Sequence, residues 1–140
     1  MAVHPTVAAL TAIHSRLNNQ TDAGNRVRSV KVPDTLAKPY LVINKATGTQ
    51  RNFHTRKGDP SYLFDVKAVA NDVETALTIA QQAAELLDDQ GEQDLGGLSG
   101  GTDWHILKAM VEGEITQKYP VGTSTVYEEG FQLRVNMEAK

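Results

Sequence analysis

His4, His14, His54 and His105 are the side chains of this chain best suited to acid–base chemistry or metal binding near neutral pH. No two of them stand in an HxH or HxxxH spacing. With no cysteine to help, a zinc site would have to gather ligands from distant segments, so four unrelated histidines and no bound metal are expected. The run Asp88-Asp89-Gln90-Gly91-Glu92-Gln93-Asp94 has the composition of a calcium loop. It lacks the alternating acids that end in glycine and the glutamate that closes such a loop, so it reads as a solvated acidic segment. Gly96-Gly97-Leu98-Ser99-Gly100-Gly101 is rich enough in glycine to cradle a phosphate. It has no Gly-Lys-Ser/Thr ending and precedes a strand instead of a helix N-terminus. Ser99 has no nucleophile-elbow context. No catalytic constellation and no cofactor site emerge, and the chain is expected to work through its surfaces, not as an enzyme.

The most basic stretch holds Arg51, His54, Arg56 and Lys57 beside Phe53. Lysine and arginine neutralise phosphates, so this stretch could meet a nucleic-acid backbone. It could equally meet an acidic patch on a neighbouring subunit, or be a solvated hairpin tip. The acids Asp88, Asp89, Glu92 and Asp94 give the subunit reading a counterpart. One basic and one acidic loop on the same protomer suit a head-to-tail contact in which unlike surfaces meet and a ring closes.

The elements that would position these loops belong to a chain of 140 residues, the size of one domain, expected to fold as a single unit over 1–140. Its length allows a core without disulfides or metal. A net charge of -3 and a pI near 5.8 argue against a free-standing nucleic-acid binder. The start, Met1 to Pro5, lacks the basic region and apolar run of a secretion leader, and no stretch is apolar enough to span a bilayer. No membrane partner is expected.

A helix is expected over 5–19, with Pro5 in its first turn and Ala9, Ile13 and Leu17 on one stripe. A weak strand over 26–32 and a better one over 40–45 follow, then a turn at 46–49 and a loop at 50–60. In the next strand, about 62–69, Tyr62, Phe64, Val66 and Ala68 share one face. A second helix is expected over 72–88, with Asn71 as N-cap and Glu74 completing a capping-box-like pair. Val73, Ala76, Leu77, Ala80, Ala84 and Leu87 form its apolar stripe. After a loop over 89–101, residues 103–114 carry apolar side chains on both faces, which suggests a strand that is central or covered on both sides. Residues 119–123 read as a turn. Over 126–138, Phe131, Leu133, Val135 and Met137 alternate with Gln132, Arg134, Asn136 and Glu138, the period of a strand with one buried face. The order α-β-β-β-α-β-β predicts an α+β fold: a mostly antiparallel sheet of about four to five strands with two helices packed on it. The last two strands should pair as a hairpin.

The ordered set of phrases Pro39-Tyr40-Leu41-Val42-Ile43, Phe64-Asp65-Val66-Lys67-Ala68, the Ala-rich helix, and Val126-Tyr127-Glu128-Glu129-Gly130-Phe131-Gln132-Leu133-Arg134-Val135 resembles the tail terminator (tail completion) proteins of long-tailed bacteriophages. The resemblance covers nearly the whole chain. It implies a small α+β protomer that forms a homo-oligomeric ring, a hexamer, capping the tail tube. Such a ring ends polymerisation of the tube protein and offers a docking surface to the head-tail connector or neck protein. DNA would pass through the lumen, which could account for Arg51, Arg56 and Lys57. The location implied is the virion, at the tail end nearest the head, with assembly in the host cytoplasm. Two alternatives remain: a neck or head-completion protein, which would bind portal or adaptor instead of tube, and a small ligand-binding α+β domain. The latter predicts a closed pocket around Trp104 and His105.

Overall fold

A computed structural model describes residues 4–29, 37–51, 59–91 and 98–139. Its first element is helix α1, Pro5–Leu17. Pro5 sits where its missing N–H costs nothing, and the His4 ring accepts the Thr6 N–H at 3.1 Å, closing the helix start. Ala8, Ala9, Ala12, Ile13 and Leu17 are buried along one face. The helix stops at Asn18, slightly before the expected end.

Strand β1 is Val27–Ser29, within the expected 26–32, of which 30–32 lie outside the described residues, and it lies parallel to β2, Tyr40–Arg51. The expected turn at 46–49 is absent: β2 runs straight through it to Arg51, paired with β3, Asp59–Ala70. A bulge between Lys45 and Thr47 absorbs one residue, after which Gly48 pairs with Tyr62. Cross-strand pairing outweighs the local turn preference of this Gly-containing segment.

Helix α2 spans Val73–Leu87. Its N-cap is Asp72, not Asn71: the Asp72 carboxylate accepts the Thr75 N–H at 3.1 Å and the Thr75 hydroxyl at 2.6 Å. The buried face is Ala76, Ile79, Ala83 and Leu87. Val73 and Leu77, placed inside by the expected stripe, are exposed. The shift follows from packing, because the helix rotates its alanines and Ile79 onto the sheet and leaves Leu77 at the rim.

The last two strands, β4 (Trp104–Val121) and β5 (Ser124–Ala139), form a hairpin with a two-residue loop, Gly122-Thr123. Gly122 has φ +63°, the left-handed value that such tight hairpin loops favour and glycine adopts freely. The segment 119–123, expected as a turn, is therefore mostly strand.

The five strands lie in the order β1-β2-β3-β5-β4, antiparallel apart from β1–β2. The expected α+β class and element order hold. The central strands are β3 and β5, and β4 is an edge, against the expectation that it is central or covered on both sides. Its two-faced apolarity has a different cause. Register shifts between Ile106 and Lys108 and between Val111 and Gly113 each insert a residue. Ile106 and Ala109, of opposite sequence parity, thus both reach the core, while Leu107 and Met110 stay exposed.

Both helices cover one face of the sheet. Leu41 and Ile43, Tyr62, Phe64, Val66 and Ala68, and Phe131, Leu133, Val135 and Met137 form one core with the buried faces of α1 and α2. The β5 alternation is borne out residue by residue. On the other face a smaller cluster, Val42, Val69 and Val126, packs under Tyr40.

Candidate assembly surfaces

The helix-free face is polar and cross-linked. Ser61, opposite Asn136, donates to its side-chain oxygen at 2.8 Å. Arg134 Nε lies 3.3 Å from Glu112 Oε1, Asp65 accepts from Gln132 at 3.4 Å, and Lys67 lies 3.6 Å from Glu128. These rungs bind β3, β5 and β4 together and leave a surface of buried and half-buried polar groups. Gly130 lies at its centre: a Cβ there would collide with the carbonyl oxygen of Val66 and stand 2.8 Å from Lys67 Cα. Only glycine lets β5 lie so close to β3 at this point.

The two flanks of the sheet end differently. On the β1 side, Val27 carries its carbonyl into bonds with His14 Nε2 at 3.2 Å and Arg28 Nη1 at 3.0 Å. On the β4 side, the chain leaving α2 straps the outer edge. Gln90 and Ala109 exchange both backbone bonds, at 3.2 and 2.7 Å, and Asp88 Oδ1 accepts the Val111 N–H at 2.9 Å. Lys108 adds an ion pair to Asp89 at 3.5 Å. Sequence reasoning missed this strap, because a single-residue bridge carries no periodicity.

Arg51 is the last residue of β2, opposite Asp59, where β5 ends and β4 begins. His54, Arg56 and Lys57 lie outside the described residues, as do Glu92 and Asp94. Asp88 and Asp89 sit beside β4 at Val111 and Lys108. Arg51 and the pair Asp88 and Asp89 thus lie on opposite flanks of the sheet. Within the protomer, Asp88 and Asp89 already hold the strap.

The histidines do separate jobs. His4 caps α1, His14 bonds β1, His105 stands opposite Glu138, and His54 lies outside the described residues. Among the described residues no group of three His, Asp or Glu could hold a metal ion. Ser99 Oγ accepts the Gly101 N–H at 3.3 Å. A hollow of about 640 Å³ lies between α1 and residues 98–103, lined by Val7, Ala12, Arg16, Leu98 and Asp103 among others. Trp104 and His105 do not line it. No helix among the described residues is long and apolar enough to cross a membrane.

No protein-family model matches the sequence. No curated protein matches it either. Among solved structures, the fold is similar to that of a chain in the virion of a native gene transfer agent particle. The TM-score is 0.63 at 17% identity, and the alignment covers 96% of this chain and 99% of that one. At that identity the likeness establishes one thing, that the two chains share a fold from end to end.

Proposed function

We propose that this chain is a structural protein of a phage-like virion and, within that class, a tail terminator that works through interfaces and not by catalysis. The observation that carries the reading is the end-to-end match to a virion chain, in which almost no residue of either chain is left over. The order of sequence phrases supports the finer role. A ring of identical protomers, six in the resemblance, would cap the tail tube, stop its growth and offer a surface to the head-tail connector.

The placement of the loops supports a head-to-tail ring. Arg51, at the end of β2, and the acidic strap beginning at Asp88 lie on opposite flanks of the sheet. Protomers set side by side around an axis would bring one against the other. Basic side chains at Arg51, Arg56 and Lys57 could alternatively face DNA passing through the lumen.

The test is to add the purified chain to polymerising tube protein and follow tube length. Capped tubes of fixed length, carrying a ring at one end in negative-stain images, are expected. Unrestrained growth together with binding to portal or adaptor would replace the terminator with a neck protein. Reversing charge at Arg51, Arg56 and Lys57 together should leave the chain folded and impair ring formation, capping or DNA passage. Normal virion assembly by that variant would remove the basic segment from the mechanism.

A further inference from the structure

The outer edge of β4 carries a self-complementary pattern. The strap bonds the backbone of Ala109 and Val111, so these residues point away from β5. A bulge follows at Glu112. From the other end, Val121 and Ser124 close the two-residue loop, so Val121 points toward β5. Alternation then turns Tyr119, Gln117, Ile115 and Gly113 toward β5 and Glu114, Thr116, Lys118 and Pro120 outward. Pro120 has no N–H to offer, which suits the outward side of an edge strand. Glu114, Thr116 and Lys118 are exposed, and neither Glu114 nor Lys118 has an ionic partner among the described residues.

We infer that this edge, from Glu112 to Pro120, pairs with the same edge of a second copy, antiparallel about a two-fold axis at Thr116. In that register Thr116 faces Thr116, and Glu114 faces Lys118 twice, once on each side of the axis. The outward N–H and C=O groups of Glu114, Thr116 and Lys118 exchange bonds with their partners. Glu112 meets Pro120, where the bulge on one strand and the missing N–H on the other both end the ladder. Beyond that point the strap has already taken the edge.

The register is specified by charge. Sliding the axis to Lys118 sets Lys118 against Lys118, and sliding it to Glu114 sets Glu114 against Glu114, and like charges directly opposite are unfavourable. A self-complementary strip of this kind is what an isologous contact requires. On the other flank the described part of β1 is three residues long and its Val27 carbonyl is occupied. The inference goes beyond the ring reading: a two-fold contact pairs protomers and does not by itself close a ring.

The experiment is light scattering on a dilution series of the full chain, its Lys118→Glu and Glu114→Lys variants, and the double swap. Wild type is expected to show a concentration-dependent doubling of mass. Each single variant should weaken the pairing by about tenfold or more, since both cross-strand pairs become repulsive, and the double swap should restore it. Circular dichroism checks that every variant is folded. In a second measurement, Thr116→Cys, in a chain with no other cysteine, should oxidise to a covalent dimer, because facing residues in a hydrogen-bonded pair are within disulfide reach. Gln117→Cys, which in this register faces Ile115 of the second copy and not itself, should not. A single-chain mass at all concentrations overturns the proposal, as does any oligomer indifferent to these charges. A ring of about six that ignores the charge swap would overturn the paired edge and leave the terminator reading intact. A charge-dependent dimer that never caps tubes would do the reverse.

Discussion

The two faces of the sheet are built on opposite principles, although they are made by the same strands. On the helix side, Phe64, Leu133 and Met137 are completely enclosed and the contacts are apolar. On the other, Ser61, Asp65, Gln132 and Arg134 are joined by rungs of hydrogen bonds and ion pairs at 2.8 to 3.4 Å. The first face supplies stability by removing apolar area from water. The second supplies little, since half-exposed ion pairs are each worth about 0–1 kcal/mol, but it fixes strand register and stays wettable. Neighbouring residues on β5 therefore tolerate very different chemistry.

The sharpest way to break this comparison is to place a charge on each side of one strand. Leu133→Asp should abolish folding, because an unpaired buried carboxylate costs several kcal/mol, and the soluble yield and circular dichroism would report it. Gln132→Lys, one residue away, turns toward Asp65 and should change stability by less than about 0.5 kcal/mol in urea titration. Equal damage from the two would mean that the faces are not distinct. Next in size is Gly130→Ala, which adds a methyl group where the β3 backbone stands. A loss of about 1–3 kcal/mol is expected, with a lowered melting temperature as the readout.

Arg134→Ala removes the rungs to Glu112 and Ser61 and should cost less than about 1 kcal/mol. The smallest effect belongs to Asp72. The Thr75 hydroxyl and backbone N–H hold its carboxyl below the usual aspartate range. A depressed folded-state value means that this cap contributes fully above the unfolded-state pKa and is lost as pH falls through the folded one. Helix content should therefore dip slightly in strong acid, and Asp72→Asn should remove that part of the acid titration.

The contrast between the faces was legible in the sequence wherever a strand keeps its phase. Phe131 to Met137 alternate without interruption, and so do Tyr62 to Ala68, and both landed as expected. In β4 the phase is broken twice by bulges, and period-two reading produced a strand covered on both sides when it is an edge. In α2 the stripe was misjudged because alanine marks no face by itself, so Leu77 drew the expected face toward the rim. The cap slipped from Asn71 to its neighbour Asp72, which reaches both donors of Thr75. The strap at Gln90 had no signal at all in local composition. Of the loop residues singled out by charge, Asp88 and Asp89 are described and are engaged within the protomer.

The two-residue loop at Gly122-Thr123 sets the chain-entropy balance of the last strand. Bringing β4 and β5 together closes the shortest possible gap, whereas joining β5 to β3 at Ala70 and Tyr127 encloses all of α2 and β4. β5 is thus held by two ladders of unequal closure cost. When the β3–β5 ladder opens, chain connectivity still keeps the two strands of the hairpin within reach of each other.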